Sequence, residues 1–459
     1  MSITKKVITE RGVAIAFVVG VFVFWRFFHQ SALSFHEQQQ LFLFTADYAM
    51  GRIVEPGGLA RYMAEFIVQF FNNFNYGALF YSALFGLSQQ LSLIIARRHC
   101  SGMALSVAVS LLPPLALLII IGNADVMTTF VISFVLCQLV VCLLPKLPMP
   151  ALVYSVLSVV VGYWLIGPVV ALFVVYAAVT WLVEWGSRGK ALLFAVVVLL
   201  VYSLVLVSSQ WLSVYPLLRL VKGIDYFRFP MSVVPCWWLL LPTAFFPLLR
   251  YANSGRWPLV SVCIVLLASL VYLPFAYDGK WKESMDYELL VRMQRWNAIV
   301  EKAQANEPTL DSSRLALGLA LWKTGNISAE QFAKGIHPSS LEYNRFSASV
   351  LGEAYFYLGL VNTARRYAFE QMESLPNYNL SGRLVKRLAE TALVSGHNRL
   401  ARTYIDLLRH TAFYSAWAED ASSLIGNRKA LEHHPVYGPL AHSFPDKDII
   451  ITSSKKYIK

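Results

Sequence analysis

Two carboxylates follow the first apolar segment of the chain in an order that suits acid–base chemistry. Glu37 comes directly after that segment, in the stretch FHEQQQLFLFTADYAMGRIVEPGG, and Asp47 lies further along the same stretch. A carboxylate held near an acceptor hydroxyl can act as the base that removes its proton. Glu37 and Asp47 are therefore the candidate catalytic residues.

Three cations lie in the longest loop between the later apolar segments, at Arg219, Lys222 and Arg228. A phosphate that leaves water needs charge-assisted donors, and Lys and Arg side chains supply them. These three residues are the candidates for binding a lipid phosphate. The sequence contains no P-loop, GxSxG, HExxH, dinucleotide-binding or EF-hand motif, so we expect neither a cofactor nor a metal.

The acidic stretch is followed by a break from Gly51 to Pro56 and then by a helix with one apolar face. This layout resembles the GT-C class of membrane glycosyltransferases. In that class an acidic motif in the first outer loop contacts the acceptor or a metal, and the donor is a sugar linked to a lipid phosphate. The resemblance implies that Glu37 is the matching acid, with Asp47 as the second candidate.

The distribution of charge predicts the elements that carry these residues. The first 279 residues contain 16 Lys and Arg and 9 Asp and Glu, whereas the last 180 contain 23 and 18. A charge at the centre of a bilayer costs roughly 2.5–3.5 kcal/mol, and a span needs about 20 mostly apolar residues. We predict an all-α protein with a transmembrane bundle over residues 1–279. The nine predicted spans are 12–28, 75–96, 102–121, 126–144, 150–166, 168–184, 190–209, 233–249 and 258–276.

The bias of Lys and Arg in the short loops predicts the orientation of the bundle. With the N-terminus in the cytoplasm, ten of these residues flank the inner ends and five lie in outer loops, as the positive-inside rule requires. Nine spans then put the C-terminal part outside the cytoplasm of a bacterial inner membrane. Loop cations of this kind explain much of the net charge of +12, so no nucleic-acid partner is expected.

Residues 59–74 predict a helix of another kind. Apolar residues recur at helical spacing from Leu59 to Phe74, whereas Arg61 and Glu65 lie elsewhere on the helical wheel. We interpret this segment as an amphipathic helix in the outer membrane interface. The alternative is that it forms the first turns of the next span.

Residues 280–459 predict a soluble tail with an internal period. Gly318 and Gly352 are 34 residues apart, and so are Gly325 and Gly359. That is the tetratricopeptide period, and the tail resembles that family over roughly 284–410. The resemblance implies an α-solenoid of stacked helix hairpins, with small residues where helices touch and glycine where a helix ends left-handed. The residues that define the repeat are Gly318, Gly325, Gly352, Tyr355, Gly359, Ala364, Pro376, Gly396 and Ala401.

Two functions fit this organisation. The first is an envelope-assembly or scaffold factor whose tail binds a protein partner, since solenoids of this type present an extended binding surface. The second is a GT-C-like glycosyltransferase that uses a lipid-phosphate-linked sugar at the outer face. A transporter is disfavoured because no ionisable residue sits clearly in mid-membrane. The wording FLFT…PGGL…QFF in the first loop also resembles an uncharacterised family of bacterial membrane proteins, a domain of unknown function, which implies no activity.

Overall fold

The chain divides into two compact units, the first comprising residues 1–36 and 45–278 and the second comprising residues 37–44 and 279–459. The structure is a computed structural model that describes residues 3–100, 102–185, 187–228, 236–251, 256–277, 279–335, 345–375 and 379–443. Within these residues the regular structure is helical, apart from one isolated antiparallel bridge between Val126 and Phe227. The short segment 37–44 belongs to the second unit although bundle residues flank it on both sides.

The first unit is built from apolar helices and the shorter helices that connect them. Its first helix, α1, continues into a π-helical turn at Phe24–Phe28, and two 3₁₀ helices occur at Gln69–Asn72 and Cys236–Tyr251. The α-helices are α1 Ile3–Val23, α2 Gln30–Glu37, α3 Ala46–Ile53, α4 Gly58–Val68, α5 Phe74–His99, α6 Met103–Ser110, α7 Leu112–Ile120, α8 Thr128–Cys142, α9 Pro148–Ile166, α10 Val170–Glu184, α11 Arg188–Leu212, α12 Leu217–Lys222 and α13 Arg256–Ala276.

Among the described residues, six helices are long and apolar enough to cross a membrane. They correspond to the first, second, third, fifth, seventh and ninth of the predicted spans. Two further apolar helices, α8 and α10, have 15 residues each, which is about 22 Å of α-helix and less than a bilayer core of about 30 Å. The 16 residues of Cys236–Tyr251 rise about 2.0 Å each in 3₁₀ geometry, or about 32 Å in all.

Hydrogen bonds between polar side chains link the helices of the first unit. Gln138 on α8 accepts from the hydroxyl of Ser88 and donates to that of Ser92, both at 2.8 Å and both on α5. Gln89 donates to Ser110 at 3.0 Å and so links α5 with α6. Polar groups that have no access to water gain most by pairing with one another, so these bonds fix how α5 packs against its neighbours.

The second unit is a succession of helices that pack mainly against near neighbours in sequence, with further contacts between the first and fifth and between the seventh and last of those described. Tyr287, Ala354 and Ile405 lie in one buried apolar core that extends through these helices. The helices are α14 Gly279–Arg292, α15 Trp296–Ala305, α16 Asp311–Lys323, α17 Ala329–Gly335, α18 Arg345–Tyr357, α19 Val361–Glu373, α20 Gly382–Val394, α21 Asn398–Arg409, α22 Ser415–Ser422, α23 Arg428–His433 and α24 Tyr437–Ser443.

Three of the glycines that the sequence singled out end helices in a left-handed conformation. Gly325, Gly359 and Gly396, which follow α16, α18 and α20, have φ angles of +80°, +81° and +74°. After each of them the next backbone N–H donates to the carbonyl five residues earlier, which is the bond that closes a Schellman turn. The turn between α14 and α15 has the same bond, with Gln294 at a φ of +52° in the glycine position.

The other residues of the predicted repeat lie where successive helices meet. A Cβ at Gly352 in α18 would lie 3.5 Å from Tyr367 in α19, and one at Gly318 in α16 would lie 3.3 Å from Phe332 in α17. Tyr355 stacks on Tyr367 with ring centroids 5.5 Å apart. The side chains of Ala364 and Ala401 are fully buried, whereas Pro376 lies outside the described residues.

Candidate functional site

A tight turn between α3 and α4 brings charged side chains together inside the first unit. Thr45 caps α3 by accepting a hydrogen bond from the backbone N–H of Tyr48. The turn then uses Gly57 at a φ of +80° and Gly58, where a Cβ would lie 2.1 Å from the carbonyl oxygen of Arg52. Only glycine permits so close an approach. The Pro-Gly-Gly sequence at 56–58 therefore determines the direction of α4 relative to α3.

Arg61 is the centre of this ionic cluster. Its Nε lies 2.7 Å from Asp225 and 3.1 Å from Glu65, and its Nη1 donates to Glu55 at 2.8 Å. The side chains of Arg61, Glu65 and Asp225 are at most 3% exposed. Burial alone would lower the pKa of Arg61, but the carboxylates of Asp225, Glu65 and Glu55 raise it above its ordinary value. The guanidinium therefore stays charged and holds three carboxylates.

The second carboxylate oxygen of Glu65 is also occupied. It accepts a hydrogen bond from the hydroxyl of Tyr48 at 2.5 Å and one from Nε of Arg52 at 3.0 Å. Burial, followed by the negative charge of Glu65, raises the pKa of Tyr48, so this hydroxyl keeps its proton. Tyr215 donates to Glu55 at 3.4 Å and brings the segment before α12 to the same cluster.

The three predicted phosphate-binding cations have different surroundings. Arg219 on α12 is half-buried, with its guanidinium 5.1 Å from the ring centroid of Tyr215. Lys222 is half-buried in the last turn of the same helix. The side chain of Arg228 is buried, with its guanidinium 5.9 Å from the ring centroid of Phe35. Arg219 therefore lies beside the ionic cluster, and Arg228 packs against the ring of Phe35.

The two predicted catalytic carboxylates belong to different units. Asp47 is exposed in the first turn of α3, where a negative charge favours the helix dipole. Glu37 is buried in the second unit, where it accepts a hydrogen bond from the hydroxyl of Tyr414 at 3.1 Å and lies 3.6 Å from Nη1 of Arg292. Glu37 is thus tied to residues far away in the sequence, Tyr414 being 377 positions later.

A second charged network lies inside the second unit and is continuous with the surroundings of Glu37. Glu288 on α14 accepts hydrogen bonds from Arg383 and, at 3.0 Å, from the hydroxyl of Ser349. Arg387 donates to Glu353 at 2.6 Å and to Glu390 at 2.7 Å. Burial alone would raise the pKa of Glu353, but the guanidinium groups of Arg387 and Arg383 lower it below its ordinary value of 4.5. These pairs tie α14, α18 and α20 to one another.

Comparison with known proteins assigns the chain to a family. A family model for DUF6057, a family of unknown function, matches residues 5–459. The chain is a member of DUF6057. This match confirms the predicted membership of a family of unknown function. No curated protein and no solved structure matches the chain. In this DUF6057 member, the described residues contain no group of three His, Cys, Asp or Glu side chains that could hold a metal ion.

The members of the ionic cluster that the sequence did not single out are Tyr48, Arg52, Glu55, Tyr215 and Asp225. One signal was available, because Arg61 and Glu65 are four residues apart on a helix that also carries Ala60 and Ala64. Small residues on a helix predict close packing, and charges near them then need partners. The contribution of Asp225 had no signal, because it comes from a loop more than 150 residues away.

Proposed function

We propose that this chain is an integral membrane protein whose first unit crosses a bacterial inner membrane and whose second unit is an extracytoplasmic, tetratricopeptide-like module that binds an extended peptide of a protein partner. Its cellular role would be that of an envelope-assembly or scaffold factor. Nine crossings, including the three shorter apolar helices, with the N-terminus in the cytoplasm, give this orientation.

The apolar surface of the first unit supports the membrane part of the proposal. The apolar windows of α11 and α13 have mean hydropathies of 2.9 and 2.5, yet only 11% and 6% of their residues are buried. On α4, Phe66 is exposed while Arg61 and Glu65 are buried. In water, folded proteins expose charged side chains and bury apolar ones. The opposite arrangement, with apolar side chains exposed and charged ones buried, is the one that lipid favours.

The observation that carries the peptide-binding part is the placement of residues 37–44, which lie in the second unit without helix or strand structure beyond the end of α2. We name this segment the strap. Helices of the second unit hold it through a charged pair, side-chain hydrogen bonds and a backbone hydrogen bond. Helical-repeat modules commonly bind segments of a partner protein along their stacked helices.

Complementation of a deletion strain tests the scaffold role. Arg292→Ala with Tyr414→Phe weakens the surface that holds the strap and should abolish complementation of the envelope defect, whereas Asp47→Asn should complement fully. Glu37→Gln does not discriminate between the functions, because Glu37 contacts the second unit. Full complementation by the Arg292 and Tyr414 variant, at wild-type expression, would overturn the scaffold proposal. Alkaline phosphatase fused after Ser443 tests the orientation, since it is active only outside the cytoplasm.

A GT-C-like transferase is the second candidate, and one observation favours it. Arg219 lies beside Tyr215, whose hydroxyl bonds to Glu55 in the ionic cluster, so a cation suited to a lipid phosphate and buried carboxylates occur in one unit. This function expects Arg219→Ala with Lys222→Ala to leave a lipid-linked sugar unconsumed. The matched control is Arg188→Ala with Lys190→Ala at the start of α11. Unchanged lipid-linked and surface glycans in both variants would exclude this candidate.

A further inference from the structure

The strap is held at both ends by polar contacts with the second unit. At its first residue, the carboxylate of Glu37 bonds to Tyr414 and pairs with Arg292. At its last residue, the backbone N–H of Phe44 donates to the carbonyl of His410 at 2.9 Å. Two ends held in this way fix the register of the six residues between them.

Between these ends the strap carries amide side chains and then large apolar ones. Gln38 donates to Glu288 at 3.5 Å, and Gln39 and Gln40 are each 3% exposed. Leu41 and Phe42 are 7% and 2% exposed, and the ring of Phe42 meets that of Phe44 at 4.9 Å. The strap therefore presents a carboxylate, then amides, then an aliphatic and an aromatic side chain, in that order.

The groups that hold the strap are themselves fixed by the second unit. Glu288, which accepts from Gln38, also accepts from Arg383 and Ser349. The ring of Tyr414 packs over the first residue of α20, since a Cβ at Gly382 would lie 2.5 Å from that ring. A surface with side chains already fixed loses little conformational entropy when it binds a peptide.

We propose that the strap is an exchangeable internal ligand, and that the partner of the second unit is an extended protein segment with the same order of carboxylate, amide and aromatic side chains. This inference rests on the proposed peptide-binding function and specifies its partner. Among the described residues no strand pairing holds the strap, so its attachment rests on side-chain contacts and a backbone hydrogen bond. Its advantage over a partner is its tether, which gives an effective concentration in about the millimolar range.

The test uses the full chain in detergent micelles or nanodiscs and a fluorescent, end-capped peptide of residues 37–44, EQQQLFLF. Phe44→Pro removes the N–H that bonds to His410, and Phe44→Ala is the matched control because it shortens the same side chain but keeps the N–H. Phe44→Pro should bind the peptide about 3- to 10-fold more tightly than Phe44→Ala, since one hydrogen bond of the competing strap is lost. A peptide with Gln in place of its first Glu should bind the Phe44→Pro variant more weakly, because it loses the pair with Arg292.

Glu37→Gln provides a second weakened strap that leaves the backbone unchanged, in case Phe44→Pro does not fold. It should also bind the peptide more tightly than wild type, and hydrogen exchange of residues 38–44 should rise in both variants. Equal binding by wild type and by whichever weakened variants fold would overturn the inference, and the strap would then be a permanent part of the second unit. That result leaves the complementation outcome untouched, so failure of this inference and failure of the scaffold function are distinguishable.

Discussion

At the scale of single residues, Arg61 is the centre of the buried ionic cluster in the first unit. Three carboxylates lie within 3.1 Å of its guanidinium nitrogens. Removing one partner of a buried ion pair is far more damaging than removing an exposed one, because the remaining charge stays away from water. Lysine is a poor substitute, since one ammonium group cannot match the fork of donors that three carboxylates require.

We expect Arg61→Ala to lower the free energy of unfolding by about 3–5 kcal/mol, because Glu65 and Asp225 would stay buried after losing the pair with Arg61. Thermal unfolding of the purified protein in detergent measures the change. Lys334→Ala is the control, since its pair with Glu330 also spans four residues but is more than 70% exposed on both sides; we expect at most about 1 kcal/mol there. Equal midpoints for the two variants would contradict a buried ionic cluster.

Glu353 gives the second unit a defined pH dependence. Its pKa in the folded protein is below 4.5, so its ionised form stabilises the fold above that pH, and the stabilisation is lost as pH falls through the folded pKa. We expect the unfolding midpoint of the second unit to fall between pH 6 and pH 3.5. Glu353→Gln should lower the midpoint at pH 6 and flatten this dependence. A dependence as steep in the variant as in wild type would show that other groups cause it.

At the scale of elements, the ends of the helices define the second unit as much as their apolar faces do. Gly325, Gly359 and Gly396 end α16, α18 and α20 in the left-handed region, which costs other residues roughly 1–2 kcal/mol. The hydrogen bond from the N–H after each glycine satisfies a backbone carbonyl that has no partner within the helix. In the first unit the elements are defined instead by uninterrupted apolar runs, and glycine marks breaks such as Gly167 between α9 and α10.

We expect Gly359→Ala to destabilise the second unit by about 1–2 kcal/mol, because alanine at a φ of +81° is strained. Gly335→Ala is the matched control, since Gly335 has no neighbour within 4 Å of a Cβ and lies within α17; there alanine should be neutral or stabilise by up to about 1 kcal/mol. Urea titration followed by circular dichroism distinguishes the two. Equal losses at both positions would mean that conformation at Gly359 is not the cause.

A new charge should destabilise the protein when it is placed on the exposed face of α11, but not when it is placed on the exposed face of the second unit. Leu200 on α11 is 57% exposed and Phe369 on α19 is 40% exposed. If α11 faces lipid, Leu200→Arg should cost about 2.5–3.5 kcal/mol, whereas Phe369→Arg should stay within about 0.5 kcal/mol of wild type. The yield and unfolding midpoint of protein extracted from membranes report both. Tolerance of arginine at Leu200 would argue against lipid contact there.

At the scale of the whole molecule, the two units are not two successive stretches of sequence. The strap comes from the beginning of the chain, yet it belongs to the second unit. A chain cut at the apparent linker near residue 279 therefore separates a ligand-like segment from the surface that holds it. That cut removes the groups of the second unit that bond to Glu37, Gln38 and Phe44.

We expect a chain ending at Asp278 to aggregate after extraction, because its strap exposes Leu41 and Phe42. Replacing residues 38–44 of that chain by a Gly/Ser linker of equal length should restore a single peak in size-exclusion chromatography. The full chain with and without Phe44→Ala controls for the change in side chain. If the truncated chain is equally monodisperse with its natural strap, the strap does not need the second unit to be soluble.

The amino-acid sequence by itself determined what is local or compositional in this protein. Sparse charge and long apolar runs predict nine spans, because lipid and water select opposite residues at exposed positions. Six of these spans correspond to membrane-length helices among the described residues. The spacing of Gly325 and Gly359 predicts two helix ends, since a left-handed residue is most easily glycine. Family membership also follows from the sequence alone.

Only the tertiary structure decided which distant groups meet. Glu37 is an acid in a first loop by sequence, and packing alone brings it to Tyr414 and Arg292. Arg61 is one polar position on a helical wheel, and packing alone gives it Asp225 as a partner. Periodicity records which face of an element is apolar, but it carries no information about which remote charge will compensate a buried one. Which remote charge compensates a buried one depends on three-dimensional packing. Packing therefore decides that Arg61 meets Asp225 and that Glu37 meets Tyr414 and Arg292.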